Sequence, residues 1–517
     1  MAWRQSAGFT RYNMFFDDAW AALPARVHLG DALKMTVSTP GWTLLLREWI
    51  HAGSYATWWA QVPALIGAIV MGVVFFALTR YFRLAPWPSA LATVLLVSNP
   101  TTLTYATRVK PYTWEMVLAI SILALGEWVR RTSSRRSLVV LGVGSVVAFL
   151  LSFATAIVIA GVWCAVLVWL WSDRTTRRHA VTAACVSAAG VLAVGVPFVL
   201  ATPPSLGDRW VGRGFMANFH SLRGFGHNLV TMLAGFANGL SGLSVGYQFR
   251  QNRITPWDDV VAVAVALVIL GLLWWTAGPR AWREKSPLLA VGFVLLVALA
   301  AGATDVFPFG DGRTDEVLYP AVFLAVAVGL DRLLTHRPSH VTRSLHVFVA
   351  AVVVVVSLGA ASWNATANAA KYPELNLTGL MAKLRPQLRP GDAIVVPSFL
   401  SFPWAQANLS SWTVDFNTHG SWPQGFRVAS TSKIPVVVLP ETYAGFDPQL
   451  AQLRHHFHRV WYVGYTLGVW NPYVVDAKYP ALLPMQTYTL GQLLQEGWHP
   501  QFFATTSLNC YAEPYVL

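Results

Sequence analysis

Long apolar runs almost free of charge punctuate this chain, and a lipid bilayer is the solvent such runs fit. Hydropathy places spans near 62–79, 87–103, 113–129, 138–151, 154–171, 179–200, 257–277, 287–303, 317–334 and 344–362. A helix needs ~20 apolar residues to cross the hydrocarbon core, fewer where neighbouring protein covers its ends. The fourth and fifth runs are short and parted only by a turn near Ser152, so their boundary is the least sharply defined. Charged residues make up 12% of the chain, against ~25% in a soluble domain. The predicted fold is an α-helical polytopic membrane protein of about ten spans.

The net charge of +13 points to orientation, not to nucleic acid. Arg80/Arg83, Arg130/Arg131/Arg135/Arg136, Arg174/Arg177/Arg178, Arg280/Arg283/Lys285 and Arg332/Arg337/Arg343 all fall in alternate short loops. Loops rich in Lys and Arg stay in the cytoplasm. The other side then receives 1–61, 104–112, 201–256, 304–316 and everything after about Ser362. The 24 tryptophans suit interfacial belts at span ends. Cys164, Cys185 and Cys510 form no disulfide framework, and the first two read as small packing residues inside spans. No zinc spacing, internal repeat or secretory signal is evident.

Three regions follow. Residues 1–61 form a first extracytoplasmic loop, 62–362 the multi-span domain, and 363–517 an extracytoplasmic α/β domain. In the first, Ser38-Thr39-Pro40 reads as a helix start with a hydroxyl cap and proline in the first turn. Trp42, Leu45, Leu46 and Trp49 follow at helical spacing, with Arg47, Glu48 and His51 on the other side. That is the pattern of an amphipathic helix lying in the interface. In the last region a helix is expected over 377–388, short buried strands over 393–396, 435–439 and 460–464, and another helix over 490–496. It has no phosphate loop and no G-x-G-x-x-G.

The predicted topology brings three stretches to one outer surface. Asp17 and Asp18 lie side by side in a chain with only 24 Asp and Glu. Arg108, Lys110 and Tyr112 fall at the outer mouth between two spans, and Asp311, Arg313 and Asp315 come just before another. Together they supply what displacement of a phosphate leaving group from a sugar requires. A carboxylate takes the proton of the acceptor hydroxyl, and fixed cations stabilise the charge developing on phosphate. Arg grips phosphate bidentately while Lys adds a point charge. Each residue also has a plainer reading. Asp17 or Asp18 caps a helix, Arg108 and Lys110 snorkel to headgroups, Arg313 pairs with Asp311 or Asp315, and Tyr105, Tyr112 and Tyr319 are belt aromatics. The 201–256 loop, with Arg209, Arg213, His220, Arg223 and His227, reads as a gate or as a connector.

Phe-Phe-Asp-Asp-Ala-Trp at 15–20, Pro-Gly-Trp-Thr-Leu-Leu-Leu-Arg-Glu-Trp at 40–49, Val-Lys-Pro-Tyr-Thr-Trp-Glu at 109–115 and Gly-Asp-Gly-Arg-Thr-Asp at 310–315 occur in that order. The series resembles type C (GT-C) glycosyltransferases, in particular the bacterial group related to protein O-mannosyltransferases and aminoarabinose transferases (family 39-like). The resemblance covers about 10–362, with the C-terminal region only loosely matched. It implies a polyprenyl-phosphate sugar donor at the outer leaflet. It also implies that Asp17 is the base or acceptor-binding group, and that Arg108, Lys110 and Tyr112 approach the donor phosphate with Arg313. Asp18 stands where that group often has Glu. The group carries its acidic pair directly after a first span, so a further span upstream of Met1 is expected here.

The reading is a membrane glycosyltransferase moving a hexosyl or pentosyl unit to an extracytoplasmic glycan, lipid or protein hydroxyl. Asp17 and Asp18 would be the catalytic acids. No cofactor is required, although Asp17, Asp18 and the outer histidines are compatible with a divalent cation. Two rivals come from other classes. A transporter or lipid flippase would show ionisable residues deep in its spans and inverted repeats, and the mid-span regions here are nearly charge-free. A non-catalytic relative acting as scaffold would tolerate Asp17→Asn without loss of function.

Overall fold

The computed structural model describes residues 16–26, 28–34, 38–201, 236, 288–304, 306, 307, 309, 314–335, 376–397, 412–416, 426–430, 436–439, 455–465, 499, 500, 505–507 and 510–516. Three small elements open the described region: α1 (Phe16–Ala22), a 3-10 turn (Leu23–Arg26) and α2 (Leu29–Lys34). After α3 (Pro40–Ala52) come α4 (Thr57–Tyr81), α5 (Pro86–Ser98), α6 (Pro100–Tyr105), α7 (Tyr112–Thr132), α8 (Arg135–Leu151), α9 (Thr155–Trp169) and α10 (Arg174–Ala201). Further on lie α11 (Leu288–Ala303), a 3-10 turn (Asp315–Leu318) and α12 (Tyr319–Thr335). Among the described residues, α4, α7 and the 174–198 part of α10 are long and apolar enough to cross a membrane, while α5, α9 and α11 are shorter apolar helices. The runs 257–277 and 344–362 lie outside the described residues.

Helix α7 is the centre of the bundle. It packs against α4, α8, α9, α12 and the Asp315–Leu318 turn, and 67% of its most apolar stretch is buried, against 6% for α10. The peripheral α10 leaves Val186, Leu192 and Leu200 exposed, as expected of a lipid-facing helix. Cys185 is also exposed on it, so that cysteine is not the packing residue expected. Cys164, on α9, is half-buried. The expected single span over 87–103 is instead two helices. Asn99 ends α5 and its side-chain oxygen then caps α6, accepting from the amides of Thr101 and Thr102 at 2.9 and 3.3 Å. Pro100 follows it, with no amide proton to satisfy and a backbone angle already set for a first turn.

Contacts at the two ends of the bundle respect the alternation of its helices. At one end Arg131 Nη2 donates to Tyr81 O at 2.6 Å, Ala85 N to Asp331 Oδ1 at 2.7 Å, and Arg135 Nε to His179 Nε2 at 3.0 Å. Buried Glu127 holds both Arg130 and Arg131 there, each at 2.6 Å. At the other end Thr39 Oγ1 donates to Leu151 O at 2.6 Å and Ser152 Oγ to Glu115 Oε1 at 2.8 Å. The basic loops of the described region therefore share one end, and α1 and α3 belong to the opposite one.

Helix α3 departs from expectation twice. Thr39 is its N-cap residue but makes no capping bond, because its hydroxyl closes the C-terminal end of α8 instead. The buried face is Gly41, Trp42, Thr43, Leu46 and Ile50, while Leu45 is 41% exposed. On the side expected to face water, Arg47 Nη1 donates to Pro24 O at 2.8 Å and His51 Nε2 meets Ala25 O at 2.5 Å. These bonds tie the 3-10 turn after α1 onto α3. The elbow into α4 is fixed by Trp49 and Trp59, stacked at 4.6 Å, each donating its indole N–H to the other's carbonyl at 3.0 Å. Pro63, inside α4, has no N–H for the Trp59 carbonyl, and the Trp49 indole takes its place.

The C-terminal region begins with α13 (Leu377–Leu384) and a 3-10 turn (Arg385–Gln387). A single helix was expected over 377–388; Pro386 cannot supply the α-helical amide and tightens the last turn. The strands are β1 (Asp392–Pro397), β2 (Trp412–Phe416), β3 (Phe426–Ser430), β4 (Val436–Leu439), β5 (Arg459–Tyr465), β6 (His499–Pro500), β7 (Thr505–Ser507) and β8 (Cys510–Val516). Their main sheet has the order β4-β1-β5-β8-β6, with β7 paired to β8. β1 is parallel to β4 and β5, and β8 runs antiparallel to β5. β1, β4 and β5 fall on the apolar runs at 393–396, 435–439 and 460–464. The unbroken apolar character of β1 and β5 suits strands in the middle of a covered sheet, while β4 stands at the end of the strand order. Asp392 is 3% exposed and bridges β1 to β5, gripped by Arg459 at 2.8 and 2.6 Å and by the Trp461 indole at 3.2 Å. The helix expected over 490–496 lies outside the described residues.

Candidate active site

The candidate site is built on the turn 106–111, between α6 and α7. The Tyr105 and Tyr112 rings meet edge to face across it, with centroids 4.5 Å apart. Both are buried, so they close the turn and are not belt aromatics. Helix α7 starts from Pro111, whose carbonyl accepts from the amide of Glu115 at 2.8 Å. Its first turn is bolted to α4: Thr113 Oγ1 donates to Ala64 O and Trp114 Nε1 to Pro63 O, both at 2.8 Å. The turn therefore projects from a rigid base, as a site that must hold a ligand requires.

Asp18 reaches this turn from α1. It is 4% exposed. Its Oδ2 lies 2.7 Å from Arg108 Nε, and its Oδ1 accepts from the Val109 amide at 3.1 Å. Neither Asp17 nor Asp18 sits ahead of α1 as a cap; both lie within the helix. The Asp17 side chain is outside the described part of the structure. Arg108 and Lys110 are half-buried, and Arg108 is turned to Asp18, not to headgroups. Arg313 and Asp311 lie outside the described residues, as does all of the 201–256 loop except Ala201 and Phe236.

Glu115 and Glu316 were not singled out in the sequence, whereas Asp315 was placed at the outer surface. Glu115, one turn into α7, is 6% exposed and accepts from Ser152 at 2.8 Å. It locks the site's base to the turn between α8 and α9. Asp315 and Glu316 are fully buried in the 3-10 turn packed on α7, together with Tyr319, which is likewise no belt residue. An acid at the apolar start of a span was the available signal, since burying a carboxylate requires compensating partners. Among the described residues, no group of three His, Cys, Asp or Glu side chains could hold a metal ion.

Apolar helices alternate between a basic end and an end carrying buried acids beside a cationic turn, the layout of a multi-span membrane protein. A solved protein with a similar fold is ArnT. The crystal structure of ArnT from Cupriavidus metallidurans in the apo state matches with a TM-score of 0.50 and 12% identity, over 99% of this chain and 96% of that one. The same protein bound to undecaprenyl phosphate gives a TM-score of 0.49 at 12% identity, over 99% and 95%. By sequence, the chain matches no protein-family model and no curated protein. Identity at this level speaks for the fold alone.

Proposed function

We propose that the chain is a membrane glycosyltransferase that moves one sugar from a polyprenyl-phosphate carrier to an acceptor hydroxyl at the outer face of the cell membrane. The observation that carries this is the cationic turn with Arg108 and Lys110, held half-buried beside an acidic helix at the end of the bundle remote from the basic loops. An anion headgroup on a lipid tail meets an aqueous acceptor at such a place. The fold likeness to ArnT supports the same reading.

In the proposed reaction the acceptor oxygen forms a bond to the anomeric carbon while the bond from that carbon to the phosphate oxygen breaks. Asp17 takes the hydroxyl proton. The phosphate leaves with the bonding electron pair, its charge stabilised by Lys110, Arg108 and Arg313. Tyr112 serves the donor by shaping the turn. The C-terminal α/β region lies on the outer side in this reading and helps select the acceptor.

Mass spectrometry of lipids retained by the detergent-purified protein tests the proposal, beside a Lys110→Ala/Arg313→Ala variant. A polyprenyl phosphate or its sugar ester in the parent, lost from the variant, is the expected result. Bulk phospholipid alone in both would overturn it.

A further inference from the structure

We infer that Asp18 is a positioning residue and takes no proton in the reaction. It acts through Arg108 and the Val109 amide to hold the 106–111 turn, and with it Lys110, in the geometry that receives a phosphate. The inference rests on the polyprenyl-phosphate donor proposed above.

Two contacts carry it. One oxygen of Asp18 meets the Arg108 guanidinium at 2.7 Å and the other accepts from the next residue's amide at 3.1 Å. One carboxylate thus fixes a side chain and the backbone beside it at once. The Arg108 contact is an ion pair, and the Val109 contact is a charge-assisted hydrogen bond, about twice as strong as a neutral one. The partners are 91 residues apart in the chain, so α1 is docked on the turn by this grip.

A proton acceptor must also meet the acceptor hydroxyl at hydrogen-bond distance. Asp18 is 4% exposed, and both of its oxygens already face protein donors. Consecutive residues on a helix are turned about 100° from each other, so neighbouring carboxylates on α1 can take different tasks. The pair divides into an anchor, Asp18, and a base, Asp17.

The sign of one measurement separates anchor from base. A negative charge near a phosphate weakens its binding, so removing a carboxylate that positions nothing should leave anion affinity equal or better. Removing an anchor should weaken it. The probe is a polyprenyl monophosphate titrated against the full-length protein in detergent, with Asp18→Asn, Asp18→Glu, Arg108→Gln and the Asp18→Asn/Arg108→Gln double variant. Asp18→Asn is expected to weaken binding about tenfold, Asp18→Glu to recover part of this, and Asp18→Asn to add less than its full loss once Arg108 is gone, only the Val109 grip remaining to lose, as for coupled neighbours. Unchanged or tighter binding by Asp18→Asn, or losses that multiply in the double variant, would overturn the assignment. If the parent itself does not bind the lipid, the donor reading fails separately. Hydrogen exchange over 105–112 then decides the anchor: lost protection in Asp18→Asn upholds it, and unchanged protection removes it.

Discussion

Gly161 tests the central packing of the bundle, because there α9 and α11 meet backbone to backbone. A Cβ on Gly161 would lie 2.5 Å from both the N and Cα atoms of Val294, where carbon contacts settle at about 3.5–4.0 Å. The obstacle is main chain, which no rotamer change can move, so Gly161→Ala must push the two helices apart by roughly 1 Å. Overpacking of this kind costs about 1–3 kcal/mol, here at the upper end. Alanine returns about 1 kcal/mol through its better helix propensity. The net expectation is a destabilisation of about 2 kcal/mol. Gly142 supplies the control, since a Cβ there would meet nothing closer than 3.9 Å. Gly142→Ala should therefore keep only the propensity gain, about 0.5–1 kcal/mol of stabilisation. The assay is thermal unfolding of the full chain in one detergent, followed by tryptophan fluorescence. A Gly161→Ala midpoint equal to or above that of Gly142→Ala would refute the close crossing of α9 and α11.

Asp17→Asn should abolish sugar transfer while leaving the unfolding midpoint within error; full activity would remove Asp17 from the mechanism. Glu115→Gln keeps a hydrogen-bond acceptor for Ser152, whereas Glu115→Leu leaves that hydroxyl buried without it, at a cost of about 1–3 kcal/mol; equal midpoints for the two would sink the bracing role. Asp392 gives a pH prediction. Burial pushes its proton affinity up, but hydrogen bonds from Arg459, the Arg389 amide and Trp461, with the Arg459 charge, hold it below the usual carboxylate range. Its stabilisation is therefore fully present above the unfolded value of about 3.9 and is lost as pH falls through the lowered folded value. The advantage of the parent over Asp392→Asn in hydrogen-exchange protection of β1 and β5 should stay constant from neutral pH to about 5 and shrink below about 4. A constant advantage down to strong acid would contradict the ion pair.

The spans were legible because the constraint on them is local. Each segment in lipid must satisfy its own backbone hydrogen bonds and present apolar side chains, so hydropathy marks it without reference to any neighbour. The basic loops, which share one end among the described residues, were marked in the same local way. Strands such as 393–396 and 460–464 announced themselves by unbroken β-branched and apolar runs. Asn99-Pro100, which splits one expected span in two, was also written locally, but a hydropathy window averages across it.

The sequence by itself thus determined the apolar helices, their alternation and the buried strands. Only the tertiary structure decided which polar groups meet. Asp18 finds Arg108 and Val109, Thr39 gives its hydroxyl to Leu151 across 112 residues, Glu115 takes Ser152, and Arg47 turns inward to Pro24 while Leu45 faces out. Helical periodicity says that one side of α3 differs from the other, but not which side a neighbour will cover. In a bilayer nearly every apolar face is acceptable against lipid, so packing follows from close approach and from polar partners far away in the chain. Those are pairwise facts of three dimensions, and no single stretch of sequence contains both halves of a pair.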